Sequence, residues 1–150
     1  MTSNNQEILI IGGGIGGLTL ALALHARSLP CQVFEATPEF TPLGVGINML
    51  PHAIRVLTAL GLEQDLQGHG VEAREFAYFN HHGQAIFSEP CGRFAGYEHP
   101  HFSIHRADLH KVLIDAVIDR LGTGAVHLDH RCTGLEQDQR ISEVVRLQTV

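Results

Sequence analysis

The first thirty-five residues show apolar runs typical of buried strands on either side of a helical apolar stripe. Residues 7–11 form a short aliphatic run ended by glycines, as expected for a strand buried on both faces. Apolar positions at helical spacing then predict a helix over residues 15–27, which Pro30 prevents from continuing. Residues 31–35 predict a second strand. Two strands joined by a helical crossover predict a parallel, right-handed βαβ unit.

The remaining chain repeats this mixture of helical and strand patterns. Residues 51–60 and 107–121 carry apolar stripes at helical spacing, and Gly61 is placed to end the first of these helices. Residues 71–79 and 84–88 flank an Asn-His-His-Gly sequence, which predicts a β-hairpin. Three further strands are expected at residues 126–128, 134–137 and 144–150, with loops at residues 37–48 and 89–101. The fold class predicted is α/β: a Rossmann-like βαβ domain with a parallel sheet and a β-hairpin insertion.

Composition fits one globular domain over residues 1–150, since 44% of the chain is hydrophobic and 17% is charged. A strand pattern that reaches the last residue leads us to expect the N-terminal part of a longer, here truncated, protein. The net charge is −6, and the ten Lys and Arg residues form no basic block, so we expect no nucleic-acid partner.

Cysteine and histidine usage predicts neither a disulfide framework nor a metal site. The three cysteines contain no CxxC pair, and the eleven histidines match none of the strong zinc spacings. Residues 8–24 carry no charge, but they contain five glycines and follow Glu7 rather than a basic segment, so they predict neither a signal peptide nor a membrane anchor. We expect a cytoplasmic protein with no membrane partner.

Candidate chemistry lies in a glycine-rich turn between the first strand and the first helix. Gly12, Gly14 and Gly17 satisfy GxGxxG, and Glu35 follows eighteen residues later at the end of the next strand. Gly12 suits a sharp turn, Gly14 allows close approach of a pyrophosphate, and Gly17 allows the helix to pack tightly on the sheet. Glu35 can accept hydrogen bonds from ribose hydroxyls. The candidate cofactor contacts here are Gly12, Gly14, Ile15, Gly16, Gly17, Glu35 and Ala36. The pattern predicts a dinucleotide but does not choose between NAD and FAD, and the alternative is a turn that serves packing alone.

Three segments together resemble the FAD-dependent single-component aromatic hydroxylases, which include salicylate and 3-hydroxybenzoate hydroxylases. They are the glycine turn with its flanks (residues 8–35), the Pro-Leu-Gly-Val-Gly-Ile-Asn segment continuing to Leu62 (residues 42–62), and Ser-Ile-His-Arg-Ala-Asp-Leu (residues 103–109). With Ser-Glu-Pro at residues 88–90, they are most similar to the branch that contains phenazine-carboxylate monooxygenases. The resemblance covers nearly the whole chain.

The resemblance implies FAD as cofactor, NAD(P)H as co-substrate, O2 as oxidant and a small aromatic substrate. It implies that Gly12, Gly14, Gly17 and Glu35 hold the ADP half of FAD. It places Arg106 beside the diphosphate or ribityl chain, and Gly46 near the isoalloxazine ring. No catalytic residue is assigned by these segments.

The chain departs from the family pattern at two positions and leaves two other functions open. Ser28 stands where such sequences usually have the glycine that ends the first helix, and His52 replaces the usual asparagine. Two later family motifs, which serve the flavin and NAD(P)H, fall beyond these residues. The alternatives are an NAD-dependent dehydrogenase and a non-catalytic dinucleotide-binding fragment.

Overall fold

A computed structural model describes residues 7–41, 44–137 and 143–149. The chain divides into two compact units. The first unit comprises Met1–Thr41 and Leu113–Val150, and the second comprises Pro42–Val112.

The first unit is built on a parallel strand–helix–strand arrangement. Strand β1 (Ile8–Ile11) leads into helix α1 (Ile15–His25), and strand β2 (Cys31–Phe34) returns alongside β1 in parallel register. A short third strand, β8 (Val126–His127), pairs in parallel with β2 and gives the order β1-β2-β8. Leu18 and Val33 are fully buried, one on the helix and one on the strand. The α/β class, the parallel pairing and both predicted strands are confirmed.

A second, antiparallel pair of strands completes this unit. Strand β9 (His130–Gln137) pairs with strand β10 (Glu143–Thr149), and the register shifts between Arg146 and Leu147. The expected strands at residues 134–137 and 144–150 are confirmed, but β9 begins four residues earlier than expected. Val150 lies outside the described residues.

The second unit contains a three-stranded antiparallel sheet. Its order is β3-β7-β4, formed by strands β3 (Gly46–Met49), β4 (Gly70–Glu72) and β7 (Phe102–His105). Helices α2 (Pro51–Ala59) and α3 (Glu63–His69) lie between β3 and β4 in the chain. The expected loop over residues 37–48 is wrong at residues 46–48, because these residues pair with a strand more than fifty positions away. Pairing at this separation leaves no local periodic signal.

The predicted hairpin is also in this unit, with a shorter first strand and a second strand that ends two residues later than expected. Strand β5 (Glu75–Phe79) pairs with strand β6 (Ala85–Pro90) around the Asn-His-His-Gly turn. Residues 71–72 do not extend the hairpin, because they belong to β4 and pair with β7. The expected loop over residues 89–101 is wrong at residues 89–90, because they pair with β5 as the end of β6. The rest of that segment contains a 3₁₀ turn, Gly92–Ala95.

Helix α4 (Arg106–Leu121) begins in the second unit and continues into the first. The predicted helix over residues 107–121 is therefore confirmed. Its buried positions recur at helical spacing: Leu109, Val112, Leu113 and Val117. Within the described part of the chain, no helix is long and apolar enough to cross a membrane.

Candidate functional site

The turn from β1 into α1 depends on backbone that only glycine adopts without strain. Gly12 has φ of +105°, and its N–H donates to the Phe34 carbonyl oxygen at 2.8 Å, which ties the turn to the end of β2. Gly14 is the N-cap residue of α1. As a glycine it has no side chain that could accept a hydrogen bond from the N–H groups of the first helical turn. The N–H groups in the first turn of a helix have no partner within the helix, so this end of α1 presents donors outward.

The other glycines of the turn divide into crowded and open positions. A Cβ atom at Gly17 would collide with the Gly12 carbonyl oxygen and lie 3.2 Å from Ile10 Cγ2, so α1 can pack on β1 only with glycine there. A Cβ atom at Gly14 or Gly16 would meet nothing within 4 Å. The mouth of the helix is therefore open, while its underside is closely packed.

Glu35 lies directly against this turn. Its Oε2 accepts a hydrogen bond from the Gly13 N–H at 2.7 Å, and its Oε1 accepts from the Thr37 N–H at 2.9 Å and from the Thr37 hydroxyl at 3.2 Å. The backbone is held as well, because the Glu35 N–H donates to the His127 carbonyl oxygen and its own carbonyl oxygen accepts from the His130 N–H, both at 2.8 Å. The structure thus brings the predicted acid and the glycine turn together.

Hydrogen bonding keeps the Glu35 carboxylate ionised. Its partial burial raises the pKa of the carboxyl, but the Thr37, Gly13 and Ala36 N–H groups and the Thr37 hydroxyl together lower the pKa below its usual value. The Glu35 side chain is only half-buried, so its carboxylate remains accessible to a ligand hydroxyl.

Two neighbours of this site were not found from the sequence. Gly13 is buried, and a Cβ atom there would lie 2.9 Å from Phe40 Cε1 and 3.2 Å from Glu35 Cβ. Gly13 thus allows the Phe40 ring and the Glu35 side chain to approach the turn together. The run of three glycines was the available signal, but which of them is crowded depends on packing. Phe40 carries no signal in its own sequence context.

The remaining predicted contacts in the first unit are Ile15 and Ala36, both half-buried. Ile15 is the first residue of α1, and its carbonyl oxygen accepts from the Thr19 hydroxyl at 2.6 Å. Ala36 follows Glu35 and contributes one of the N–H groups described above. Both residues flank the open mouth of the helix.

Gly46 and Arg106 come together at one edge of the sheet in the second unit. Gly46 opens β3 and pairs with His105, the residue before Arg106. The Arg106 N–H donates to the Val45 carbonyl oxygen at 2.9 Å, while its exposed guanidinium makes no hydrogen bond or ion pair with a described residue. A Cβ atom at Gly46 would meet nothing within 4 Å. This edge therefore combines an accessible backbone with a guanidinium that has no partner in the described part of the chain.

A strand, a glycine turn, a helix and a second parallel strand ending in an acid form the arrangement that dinucleotide-binding α/β proteins use. The chain belongs to the FAD binding domain family, which matches residues 5–149. FAD is thus the dinucleotide of this family, and the resemblance drawn from the sequence is confirmed.

Two of the relatives are hydroxylases of aromatic acids. The chain is 43% identical over 136 residues to phenazine 1,6-dicarboxylic acid hydroxylase of Lysobacter antibioticus, covering 90% of this chain and 33% of the relative. It is 33% identical over 137 residues to 3-hydroxybenzoate 6-hydroxylase of Polaromonas naphthalenivorans, covering 88% of this chain and 34% of the relative. The chain thus spans about a third of the length of these relatives.

Solved structures show the same fold. Tetrameric 2-methyl-3-hydroxypyridine-5-carboxylic acid oxygenase superposes with a TM-score of 0.77 at 22% identity, over 98% of this chain and 36% of that one. The flavin-dependent monooxygenase PieE, solved with FAD and substrate, gives a TM-score of 0.79 at 18% identity, over 96% of this chain and 27% of that one.

Proposed function

We propose that this chain binds FAD through its glycine turn and Glu35, as the FAD-binding part of a flavin-dependent monooxygenase. The parent enzyme would hydroxylate a small aromatic substrate with NAD(P)H and O2. Membership of the FAD binding domain family supports the cofactor, and relatives that hydroxylate phenazine and benzoate acids support the reaction. The observation that carries the proposal is the Glu35 carboxylate, held 2.7 Å from the Gly13 nitrogen at the open mouth of α1.

The first unit would hold the ADP half of FAD. The N–H groups of Ile15, Gly16 and Gly17 at the mouth of α1 suit the diphosphate, since a helix N-terminus favours anions. Gly12 and Gly14 leave room for it, and Glu35, followed by Ala36, would accept hydrogen bonds from the adenosine ribose. When bound, FAD supplies the hydride and oxygen chemistry, while these residues bind and orient it.

Gly46 and Arg106 would contact the flavin half of FAD. The Arg106 guanidinium is a planar fork of donors that suits phosphate or ribityl oxygens, and it has no competing partner among the described residues. Gly46 would allow the isoalloxazine ring to approach the backbone of β3. An NAD-dependent dehydrogenase gives these two positions no role, and the family match includes both of them.

We also place the protein in the cytoplasm. Cys31, Cys91 and Cys132 are free thiols, as expected in a reducing compartment. Cys31 is buried, and its burial, together with a smaller effect of the Glu7 charge, raises the pKa of its thiol. The thiol therefore stays protonated and is an inert part of the core.

Spectroscopy of the purified chain tests the proposal. After incubation with FAD and gel filtration, we expect flavin absorbance to elute with the protein in a one-to-one ratio. A parallel sample with NAD⁺ should retain no nucleotide. Retention of NAD⁺ without FAD would favour the dehydrogenase, and retention of neither would support a fragment that binds no dinucleotide.

A further inference from the structure

A short segment of the first unit, residues 127–130, holds the main chain around the candidate acid. The Glu35 N–H donates to the His127 carbonyl oxygen, and the Glu35 carbonyl oxygen accepts from the His130 N–H, both at 2.8 Å. The Asp129 N–H also donates to the Thr37 carbonyl oxygen at 3.0 Å. These hydrogen bonds fix both the residue that carries the carboxylate and the threonine that binds it.

The backbone of this segment has little support of its own. Strand β8 (Val126–His127) has two residues and pairs with β2 at Val33 and Phe34. Strands in globular proteins usually have at least three residues, so β8 forms few backbone hydrogen bonds. The turn that follows is strained, because Asp129 has φ of +59°, the left-handed region that favours glycine. Side-chain contacts must therefore contribute to keeping the segment against β2.

The His127 ring makes the closest of these side-chain contacts that involve aromatic rings. It stacks on the Phe34 ring with 4.7 Å between centroids and 13° between planes, and the His130 ring lies 5.8 Å from the Phe34 ring. Phe34 directly precedes Glu35, and its carbonyl oxygen accepts from the Gly12 N–H at 2.8 Å. Stacked rings stabilise beyond the area that they bury. The stack thus joins β8 to the residue that ties β2 to the glycine turn.

A chain of hydrogen bonds orients the same imidazole. The His127 Nε2 atom lies 2.9 Å from Gln32 Oε1, and Gln32 Nε2 donates to Glu7 Oε1 at 2.8 Å. An ionised carboxylate only accepts, so Gln32 must donate through its nitrogen and accept through its oxygen. The His127 ring therefore donates from Nε2, which fixes its rotation over Phe34.

We propose that His127 is a positioning residue for the FAD site: its ring, stacked on Phe34 and hydrogen-bonded to Gln32, keeps β8 against β2 and so keeps the Glu35 carboxylate at the glycine turn. The inference rests on the proposed function, because it concerns the acid assigned to the adenosine ribose. His127 acts on FAD binding only through Glu35.

Hydrogen exchange in the ligand-free chain, followed by NMR, tests the positioning without any cofactor. The Gly13 N–H is bonded to Glu35 Oε2, so His127→Ala should raise its exchange rate about tenfold. The Leu18 N–H, which donates to the Gly14 carbonyl oxygen in α1, should exchange at an unchanged rate. An unchanged rate at Gly13, or an equal rise at Leu18, would overturn the proposal.

Fluorescence titration with FAD compares the ring with its absence. We expect His127→Ala to weaken FAD binding about tenfold, and His127→Phe, which keeps a ring over Phe34, to weaken it by no more than about threefold. The control is His25→Gln, at an exposed histidine that ends α1, which should leave the affinity unchanged. Equal losses in His127→Ala and His127→Phe, or wild-type affinity in both, would overturn the proposal.

A chain without the acid shows whether His127 acts through it. In a Glu35→Ala background, adding His127→Ala should weaken FAD binding by less than about twofold, because no carboxylate is left to position. A further tenfold loss in the double variant would overturn the proposal. Absence of FAD binding in every variant and in wild type, with the selective change at Gly13 still present, would contradict the proposed function and support the positioning by His127.

Discussion

Glu35 combines a structural and a binding role in one carboxylate. Its oxygens accept hydrogen bonds from Gly13 and Thr37, so the acid closes the glycine turn from the side of β2. The side chain is only half-buried, so a ligand can reach the same carboxylate. Ligand binding therefore requires no rearrangement of the acid, which is already placed by the fold.

The lowered pKa of Glu35 predicts a pH-dependent contribution to stability. Because the folded-state pKa lies below the unfolded value of about 4.3, the ionised group stabilises the fold above that pH, and the contribution is lost as the pH falls through the folded-state pKa. The difference in unfolding free energy between wild type and Glu35→Gln should therefore be larger at pH 7 than at pH 3. Urea unfolding at both pH values measures this, with Glu39→Gln as the exposed control; a difference independent of pH would contradict the hydrogen-bonded role.

The two kinds of glycine in the turn predict opposite effects of adding a methyl group. Gly17→Ala should destabilise the chain by roughly 1–3 kcal/mol, because the new Cβ atom strikes the Gly12 carbonyl oxygen. Gly16→Ala, one position earlier in the same helix, should stabilise it by about 0.5–1 kcal/mol, since the methyl group meets open space and glycine is a poor helix former. Chemical unfolding of both variants provides the measurement, and similar effects at the two positions would show that α1 does not pack closely on β1.

Among the elements, the turn that follows α1 contains a strained residue. Ser28 has φ of +57°, the left-handed conformation that favours glycine, and the Leu29 N–H donates to the Leu24 carbonyl oxygen at 3.0 Å. The departure from the family's glycine, noted from the sequence, therefore falls at a position that needs left-handed backbone.

Replacing this serine should stabilise the fold. Ser28→Gly relieves the strain of the left-handed backbone, but it also raises the conformational entropy of the unfolded chain, which lowers stability. We expect a net increase of about 0.5 kcal/mol in the free energy of unfolding. Ala26→Gly, at a right-handed residue two positions earlier, should instead lose about 0.5–1 kcal/mol. Thermal unfolding compares the two, and a loss in both variants would refute the strain at Ser28.

The elements that could be predicted are those with a local period. Apolar repeats within one segment mark the strands at residues 8–11 and 31–34 and helix α4. The two strands are paired in parallel and α4 is helical, as their patterns predict. Strand β3 has only four residues, and its partner β7 lies far along the chain, so its pairing left no local mark. Helix α3 has only seven residues and one buried side chain, Leu66. A helix this short shows no repeating pattern of apolar positions in the sequence.

The candidate site shows the same division. The glycine spacing and Glu35 were predictable because a dinucleotide requires them at fixed offsets in the chain. The contact of Gly13 with Phe40 and the hydrogen bonds of Thr37 could not be predicted in this way. They form only when the turn and the end of β2 pack together.

For the whole molecule, the proposed FAD contacts divide between the parts of the cofactor. Glu35 is assigned to the adenosine ribose and Arg106 to the diphosphate or ribityl chain, so adenosine alone should not sense Arg106. We predict that Arg106→Gln weakens FAD binding about tenfold but leaves adenosine binding unchanged, because adenosine has neither the phosphates nor the ribityl chain that the guanidinium would contact.

Arg27→Gln, at an exposed position near the end of α1, is the matched control and should affect neither ligand. Fluorescence titration with FAD and competition with adenosine give both constants. A parallel loss of FAD and adenosine affinity in Arg106→Gln would place the guanidinium elsewhere than proposed.

The central claim is that the Glu35 carboxylate at the glycine turn receives the ribose of FAD. Titration of FAD fluorescence with wild type, Glu35→Gln and Glu39→Gln tests it most directly. The account predicts saturable FAD binding by wild type and Glu39→Gln, with a dissociation constant about tenfold higher for Glu35→Gln, because the amide loses one acceptor and the charge. Unchanged FAD affinity in Glu35→Gln would contradict it.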